Sequence, residues 1–430
     1  GVPDGKLSDG WKLRWRARAT SNGVNGTWTD WHPLEVSLLV ARTSTGVTTS
    51  AAAASWTPER IKVDECQDDN KPWLWIDRRA VRKNRPGGWL KNRFSWCFWG
   101  YTFSYTYTID KKTGERVYNE QKGYRVTVIA ETSNTSRDFV VKVGLDDFHT
   151  IMPPRVGPEK ITRDDLYAVA VTSSGNGTSC QQNSPTPGLE KYSSAMHWWE
   201  DAGGNQHTFH LTSPTSFASD KQAIHNCRVS INVQWEFSED RWNDDLGPEV
   251  RCDTSPAISQ FGAKNGGCVF RGITSSLEIG KGDGWDDVYD HLKLAKDDPD
   301  STIPTWNHTD KDIPGFSEKY ALKRGGYLGI EDYNRGAAVA ECERKWGYGY
   351  AARYNLAAPW GTRSGPGGSC DEFPFNDTYQ GVRYTRDKAL KNYSVAVIDG
   401  TQNSNFGSAQ SLWYSRDRVI DGDRFFIRFK

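Results

Sequence analysis

The densest run of reactive side chains in this 430-residue chain is Cys370-Asp371-Glu372-Phe373-Pro374-Phe375-Asn376-Asp377-Thr378-Tyr379-Gln380-Gly381. Two adjacent carboxylates directly follow a cysteine, and a cross-link at that cysteine would hold them rigidly. Carboxylate oxygens are what Mg²⁺ and Mn²⁺ prefer as ligands. A cation held there would fix a phosphate oxygen and lower the pKa of a bound water. The same residues also have a plainer reading. Asp371 can cap a helix, with Pro374 tolerated in its first turn, which gives a cross-linked turn without chemistry. On residue types alone the plain reading has the edge.

A resemblance shifts that balance. Cys370–Thr378 reads C-D-E-F-P-F-x-x-T and resembles the C-D-E-[YF]-P-F-A-S-T signature of actinobacterial members of the NucA/NucB deoxyribonuclease family. Upstream, Asn334-Arg335 with Ala337–Cys342 resembles the family's N-R-x-x-A…C helix. Downstream, Asn403–Gln410 resembles its Asn/Gly-rich segment, and Arg418–Ile427 its R-[VI]-[LI]-D-G-D-x-F-x-V ending. The three blocks occur in order within residues 320–430.

The resemblance implies a secreted endonuclease that cuts DNA with Mg²⁺ or Mn²⁺, with little sequence specificity and without a catalytic histidine. All eight histidines precede residue 309, so catalysis in the last domain falls to carboxylates, amides and a metal. Asp371 would ligate the cation, with Glu372 as a second ligand or as general base. Asn405 would orient water or phosphate. Arg383 or Arg335 would stabilise the charge of the transition state. Gln380 stands where the family often has Glu; an amide can bind metal but cannot take a proton near neutral pH. Asp377 is the alternative carboxylate. A nuclease behind β-rich modules also fits the toxic end of a larger protein, with an immunity or assembly partner.

Several elements must position these groups. Ile330, Tyr333, Ala337 and Ala340 recur at helical steps, and Val339, Cys342 and Trp346 form a second stripe, so Ile330–Trp346 is predicted as a helix buried on both sides. A shorter helix is predicted over Trp285–Lys296. Eight cysteines, Cys66, Cys97, Cys180, Cys227, Cys252, Cys268, Cys342 and Cys370, include no CxxC pair. That favours disulfides over zinc and implies an oxidising compartment. Pairing neighbours gives 66–97, 180–227, 252–268 and 342–370.

The fold class expected is multidomain: mainly antiparallel, sandwich-like β modules followed by a small disulfide-bonded α+β nuclease-like domain. Residues 1–40 alternate as two strands, and W-R-A-R-A (Trp15–Ala19) with Trp28 and Trp31 resembles the closing hairpin of a fibronectin type III module. Further N-terminal domains are therefore expected before Gly1. Residues 41–55 read as a linker, 56–156 as a β domain, 157–308 as a β-rich domain with a short helix, and 309–430 as the nuclease-like domain. A hairpin is expected around Lys112-Thr113-Gly114, and a strand over Val229–Glu236.

Acidic and basic residues balance at 54 each, so no global field draws in DNA or a membrane surface. No apolar run is long enough to span a bilayer. Arg78, Arg79, Arg82, Lys83, Arg85, Lys91 and Arg93 interleave with indoles over 73–99, a pattern read as strand surface over a Trp core. His207 and His210 have metal-like spacing but point to opposite faces of a strand. Asp421-Gly422-Asp423 reads as a hairpin turn. The competing functional reading is an extracellular surface, structural or carbohydrate-binding protein, using tryptophans such as Trp198-Trp199, with a degenerate nuclease-like domain.

Overall fold

The computed structural model describes residues 57–68, 88–153, 161–175, 180–182, 191–201, 205–214, 222–235, 247–258, 266–305, 310–325, 329–354, 367–387 and 391–430, together with a few short strands elsewhere. The chain forms two units, Gly1–Ala52 and Ala53–Lys430. In the first, Lys12–Trp15 pairs antiparallel with His32–Glu35, and Thr20–Ser21 with Val24–Asn25. The expected linker at 41–55 and the cationic run Arg78–Arg85 lie outside the described residues.

The second unit is built on two antiparallel sheets. Seven strands form one, running through Ser95–Ile109, Arg116–Glu131, Asp138–Met152 and Gln206–Thr212. Six form the other, centred on Leu166–Gly175, His225–Trp235 and Glu249–Asp253. Side chains alternate between the faces of a strand. Val126, Val128, Val141 and Val143 from one sheet therefore share a core with Val169, Val171, Ile231 and Val233 from the other.

The predicted alternation over Val229–Glu236 is the inner face of the strand His225–Trp235. The hairpin expected near Lys112 joins Ser95–Ile109 to Arg116–Glu131, with Gly114 at φ 74°. Trp89 and Trp96 are core residues, and Lys91 and Arg93 are ion-paired, so the described part of the 73–99 segment is structural. Trp199 is fully buried with Trp198 packed edge-on against it, which leaves no open indole pair there for a sugar.

Two expected boundaries move. The strand Asp138–Met152 pairs with Gln206–Thr212, so the modules drawn at 56–156 and 157–308 are one sandwich. The C-terminal layer starts earlier than residue 309. The strand Ser275–Ile279 pairs in parallel with Arg424–Phe429, and Leu277 and Ile279 belong to the C-terminal core. The helix Asp286–Asp297 buries Val288 and Leu292 in the same core. The hairpin turn expected at Asp421–Asp423 instead joins a helix to that last strand. Burial would raise the Asp423 carboxyl, but Arg251 and Arg93 outweigh it and hold its pKa down to about 2.

All four disulfides join the neighbours expected: Cys66–Cys97, Cys180–Cys227, Cys252–Cys268 and Cys342–Cys370. Among the described residues, no helix is long and apolar enough to cross a membrane.

Candidate active site

The carboxylate pair lies on a strand, Gly368–Phe373, not at a helix cap. That strand pairs antiparallel with Ser394–Asp399, setting Asp371 opposite Ala396 and Glu372 opposite Val395. The second strand runs directly into the 17-residue helix Gly400–Arg416. Asp399 caps this helix by accepting from the backbone N–H groups of Thr401 (2.9 Å) and Gln402 (3.0 Å). Phe406, Gln410, Trp413 and Tyr414 form its buried face. The amide of Asn403 donates to Ser369 Oγ (2.9 Å) and the Cys370 carbonyl (3.2 Å), tying the first turn of the helix to the acidic strand.

A second helix, Ile330–Trp346, spans the bounds expected of it. Its buried residues are Asn334, Ala337, Ala338 and Cys342, while Tyr333 is 69% exposed, so one face is buried and not both. The Cys342–Cys370 disulfide fastens it beside Asp371. Asn334 donates to the carbonyls of Asn376 (2.7 Å) and Thr378 (2.9 Å) and accepts from the Arg383 backbone (3.0 Å). It thereby shapes the loop that carries Asp377.

These elements enclose an open cleft of about 450 Å³, lined by Asp371, Glu372, Asp377, Glu331, Arg324, Arg335, Asn403 and Gln410, among others. Glu372 is only 5% exposed and receives no hydrogen bond among the described residues. Its nearest cation is Arg335, with Nη1 at 3.7 Å from Oε1 and a half-exposed side chain. Desolvation, followed by repulsion from Asp371, pushes the Glu372 carboxyl up to about 8. Desolvation also raises Asp377 to about 6 against the pull of Arg324, while the Tyr414 hydroxyl donates to its Oδ1 at 3.2 Å. Arg324 stacks its guanidinium 4.0 Å from the Tyr414 ring.

The donor set suits a hard divalent cation. Glu372 is a desolvated carboxyl group short of positive charge, and Asp371 has one oxygen hydrogen-bonded to the protein and the other without a hydrogen bond among the described residues. The Asn403 amide nitrogen is occupied, which leaves its oxygen as a neutral donor. A different cluster, Cys180, His225 and Cys227, has metal-like closeness, but its sulfurs are bonded to each other and cannot act as thiolate ligands.

Asp371, Glu372, Asp377 and Arg335 thus meet in the cleft. Three other residues expected there do not line it. Asn405 is exposed on the far side of its helix turn, and Asn403, two residues earlier, takes the place assigned to it. Gln380 turns its amide oxygen to accept from the backbone N–H of Lys323 at 2.9 Å, so it braces the loop. Arg383 lies exposed on the short helix Val382–Asp387.

A histidine also stands behind the acids, outside the lining of the cleft. His291, from the helix Asp286–Asp297, reaches Asp371 Oδ2 through Nδ1 at 2.6 Å and Ser394 Oγ through Nε2 at 2.7 Å. The boundary drawn at residue 309 had separated it from the acids. The signal in the sequence was its place on the helix, one turn from Val288 and beside Leu292. No family model, curated protein or solved structure matches this chain.

Proposed function

We propose that the protein is a metal-dependent endonuclease that hydrolyses DNA phosphodiester bonds with little sequence specificity in the cleft around Asp371 and Glu372. One observation carries the reading. A buried carboxylate without a hydrogen bond stands beside a second carboxylate on the wall of an open cleft, with a half-exposed arginine at its mouth. Buried carboxyl groups are ordinarily hydrogen-bonded, so one that meets only a half-exposed arginine at 3.7 Å is poised for a ligand that supplies positive charge.

Asp371 and Glu372, with the Asn403 oxygen, would hold Mg²⁺ or Mn²⁺. Such an ion polarises a phosphate oxygen and makes a bound water acidic. The chain's own residues do the rest. Arg335 is free to swing toward a phosphate and take part of the charge that builds in the transition state. Asp377, with its carboxyl raised to about 6, is ionised at neutral pH yet retains the proton affinity a general base needs. The Tyr414 hydroxyl on Oδ1 fixes its orientation. With no net charge on the chain, attraction of DNA is local to the cleft rather than steered from a distance. Four disulfides fit an oxidising, extracellular setting.

The test is plasmid nicking by the full chain with Mn²⁺ or Mg²⁺, with and without chelator, beside Asp371→Ala and Glu372→Gln. The reading expects cleavage that stops with chelator and falls by about 10²-fold or more in either variant. A folded wild-type protein that binds Mn²⁺ and leaves both DNA and RNA intact would overturn it.

A further inference from the structure

His291 is 6% exposed and Ser394 1% exposed, and neither lines the cleft. Both nevertheless form a hydrogen-bonded line that ends on Asp371. An ionised carboxylate only accepts hydrogen bonds, so the Nδ1–H of His291 is the donor to Asp371 Oδ2. In the neutral ring Nε2 is then the acceptor, and the Ser394 hydroxyl donates to it. The line runs from Ser394 through His291 to Asp371 and fixes the tautomer and plane of the imidazole.

The three residues come from three elements: the helix Asp286–Asp297 and the two paired strands Gly368–Phe373 and Ser394–Asp399. Their meeting is therefore a product of the tertiary fold and not of local sequence. Its effect on Asp371 is specific. Oδ2 accepts from the ring, which restrains the side chain, and Oδ1 has no hydrogen bond among the described residues while Asp371 lines the cleft. Beside the apolar Val288 and Leu292, the imidazole is the group that meets both the buried Asp371 carboxylate and the buried Ser394 hydroxyl.

We propose that His291 is a positioning residue for the metal site. Held by Ser394, it aims Asp371 so that the carboxylate offers one oxygen in a fixed direction. This rests on the reading of Asp371 as a metal ligand. Groups that orient a ligand from behind change metal affinity or activity by about 10- to 100-fold when removed.

The experiment uses the full chain and reads Mn²⁺ affinity by calorimetry, with kcat and KM on plasmid DNA measured separately. His291→Ala should weaken Mn²⁺ binding and lower kcat by about 10-fold or more, with KM for DNA nearly unchanged. His291→Asn keeps an N–H near the position of Nδ1 and should recover most of the loss. Ser394→Ala leaves the ring on Asp371 but removes the group that holds its far nitrogen, and should give a smaller loss of the same kind. If His291→Ala fails to fold, the Asn and Ala variants at 291 and 394 still decide the question. The proposal is overturned if folded variants bind Mn²⁺ and turn over within about twofold of wild type, or if His291→Asn behaves no better than an apolar replacement. A wild-type chain that binds no Mn²⁺ would instead sink the metal-site reading itself, so the two failures are distinguishable.

Discussion

Arg418 is wholly enclosed, and its guanidinium grips Asp253 at two points, Nε to Oδ2 at 3.0 Å and Nη2 to Oδ1 at 2.7 Å. Arg418 follows the helix Gly400–Arg416 of the C-terminal layer, whereas Asp253 ends a strand of the sandwich. Nη1 donates to the carbonyl of Asn134 at 2.7 Å, a second anchor in the sandwich. The pair is a bolt through the unit. Removing one partner of a buried ion pair strands the other charge, at a cost of about 3–5 kcal/mol. Asp253→Ala should therefore lower the urea midpoint of the whole Ala53–Lys430 unit in a single transition. Loss confined to a signal from the sandwich, with nuclease activity retained at the new midpoint, would show that the layers unfold separately.

The same connection predicts what a truncated C-terminal segment will do. Residues 309–430 contain the acidic strand and both long helices that flank it. They lack the strand Ser275–Ile279, the helix Asp286–Asp297 and every sandwich residue that holds Arg418 and Asp423. Leu277, Val288 and Leu292 would leave the core beside Phe373 and Trp413 open. That fragment should show little ordered structure by far-UV circular dichroism and should not nick plasmid even where the whole chain is found to do so. A folded, active 309–430 fragment would show that the core closes without these elements.

The pH dependence follows from Glu372. Its carboxyl rises from 4.5 to about 8 on folding, so between those values the folded, metal-free protein binds more protons than the unfolded chain. The contribution of this group is full below about 4.5 and is lost as pH climbs toward 8. A divalent cation must displace that proton, so its affinity should rise with pH by at most about tenfold per unit until the group is ionised. The increase in Tm produced by Mn²⁺ should accordingly be larger at pH 8 than at pH 6. In Glu372→Gln the difference should shrink. An equal Mn²⁺ shift at both pH values in the wild type would rule out proton displacement at this carboxylate.

Much of the fold could be read from periodicity and cysteine spacing. The alternation of Val229, Ile231, Val233 and Trp235 names a strand, and the helix Ile330–Trp346 ends where its stripe ends. Disulfides between sequence neighbours were recoverable because each joins elements of one layer. The helix Gly400–Arg416 escaped notice because Gly400, Asn403, Asn405 and Gly407 are poor helix formers. Its support is the Asp399 cap and the packing of Phe406, Trp413 and Tyr414, the second of which is tertiary. The acids of the site announce themselves as a motif. His291 and Ser394 carry no motif, and only folding brings His291 within 2.7 Å of Ser394 and 2.6 Å of Asp371. Asn403 and Asn405 share one Asn/Gly-rich run, and only the helix phase sets Asn403 on the cleft.

Asn334 and Gly381 offer a test of how tightly the loop behind the acids is specified. Asn334 is 1% exposed and spends its side chain on three backbone groups of residues 376–383. A Cβ built at Gly381 would lie 2.3 Å from the Asn334 amide nitrogen, so the loop closes on this helix only because residue 381 has no side chain. Asn334→Ala should cost about 2–4 kcal/mol, since buried carbonyls lose their donor. Gly381→Ala should also destabilise, through overlap. The two losses should not add: with Asn334 shortened, the added methyl at 381 gains room, and the double variant should be more stable than the sum of the singles predicts. Chemical denaturation of the four proteins in the cycle measures this directly. Strict additivity would mean that the loop relieves the overlap by moving elsewhere. In that case Asp377, which the loop carries into the cleft, should lose its raised proton affinity in the Gly381 variant as well.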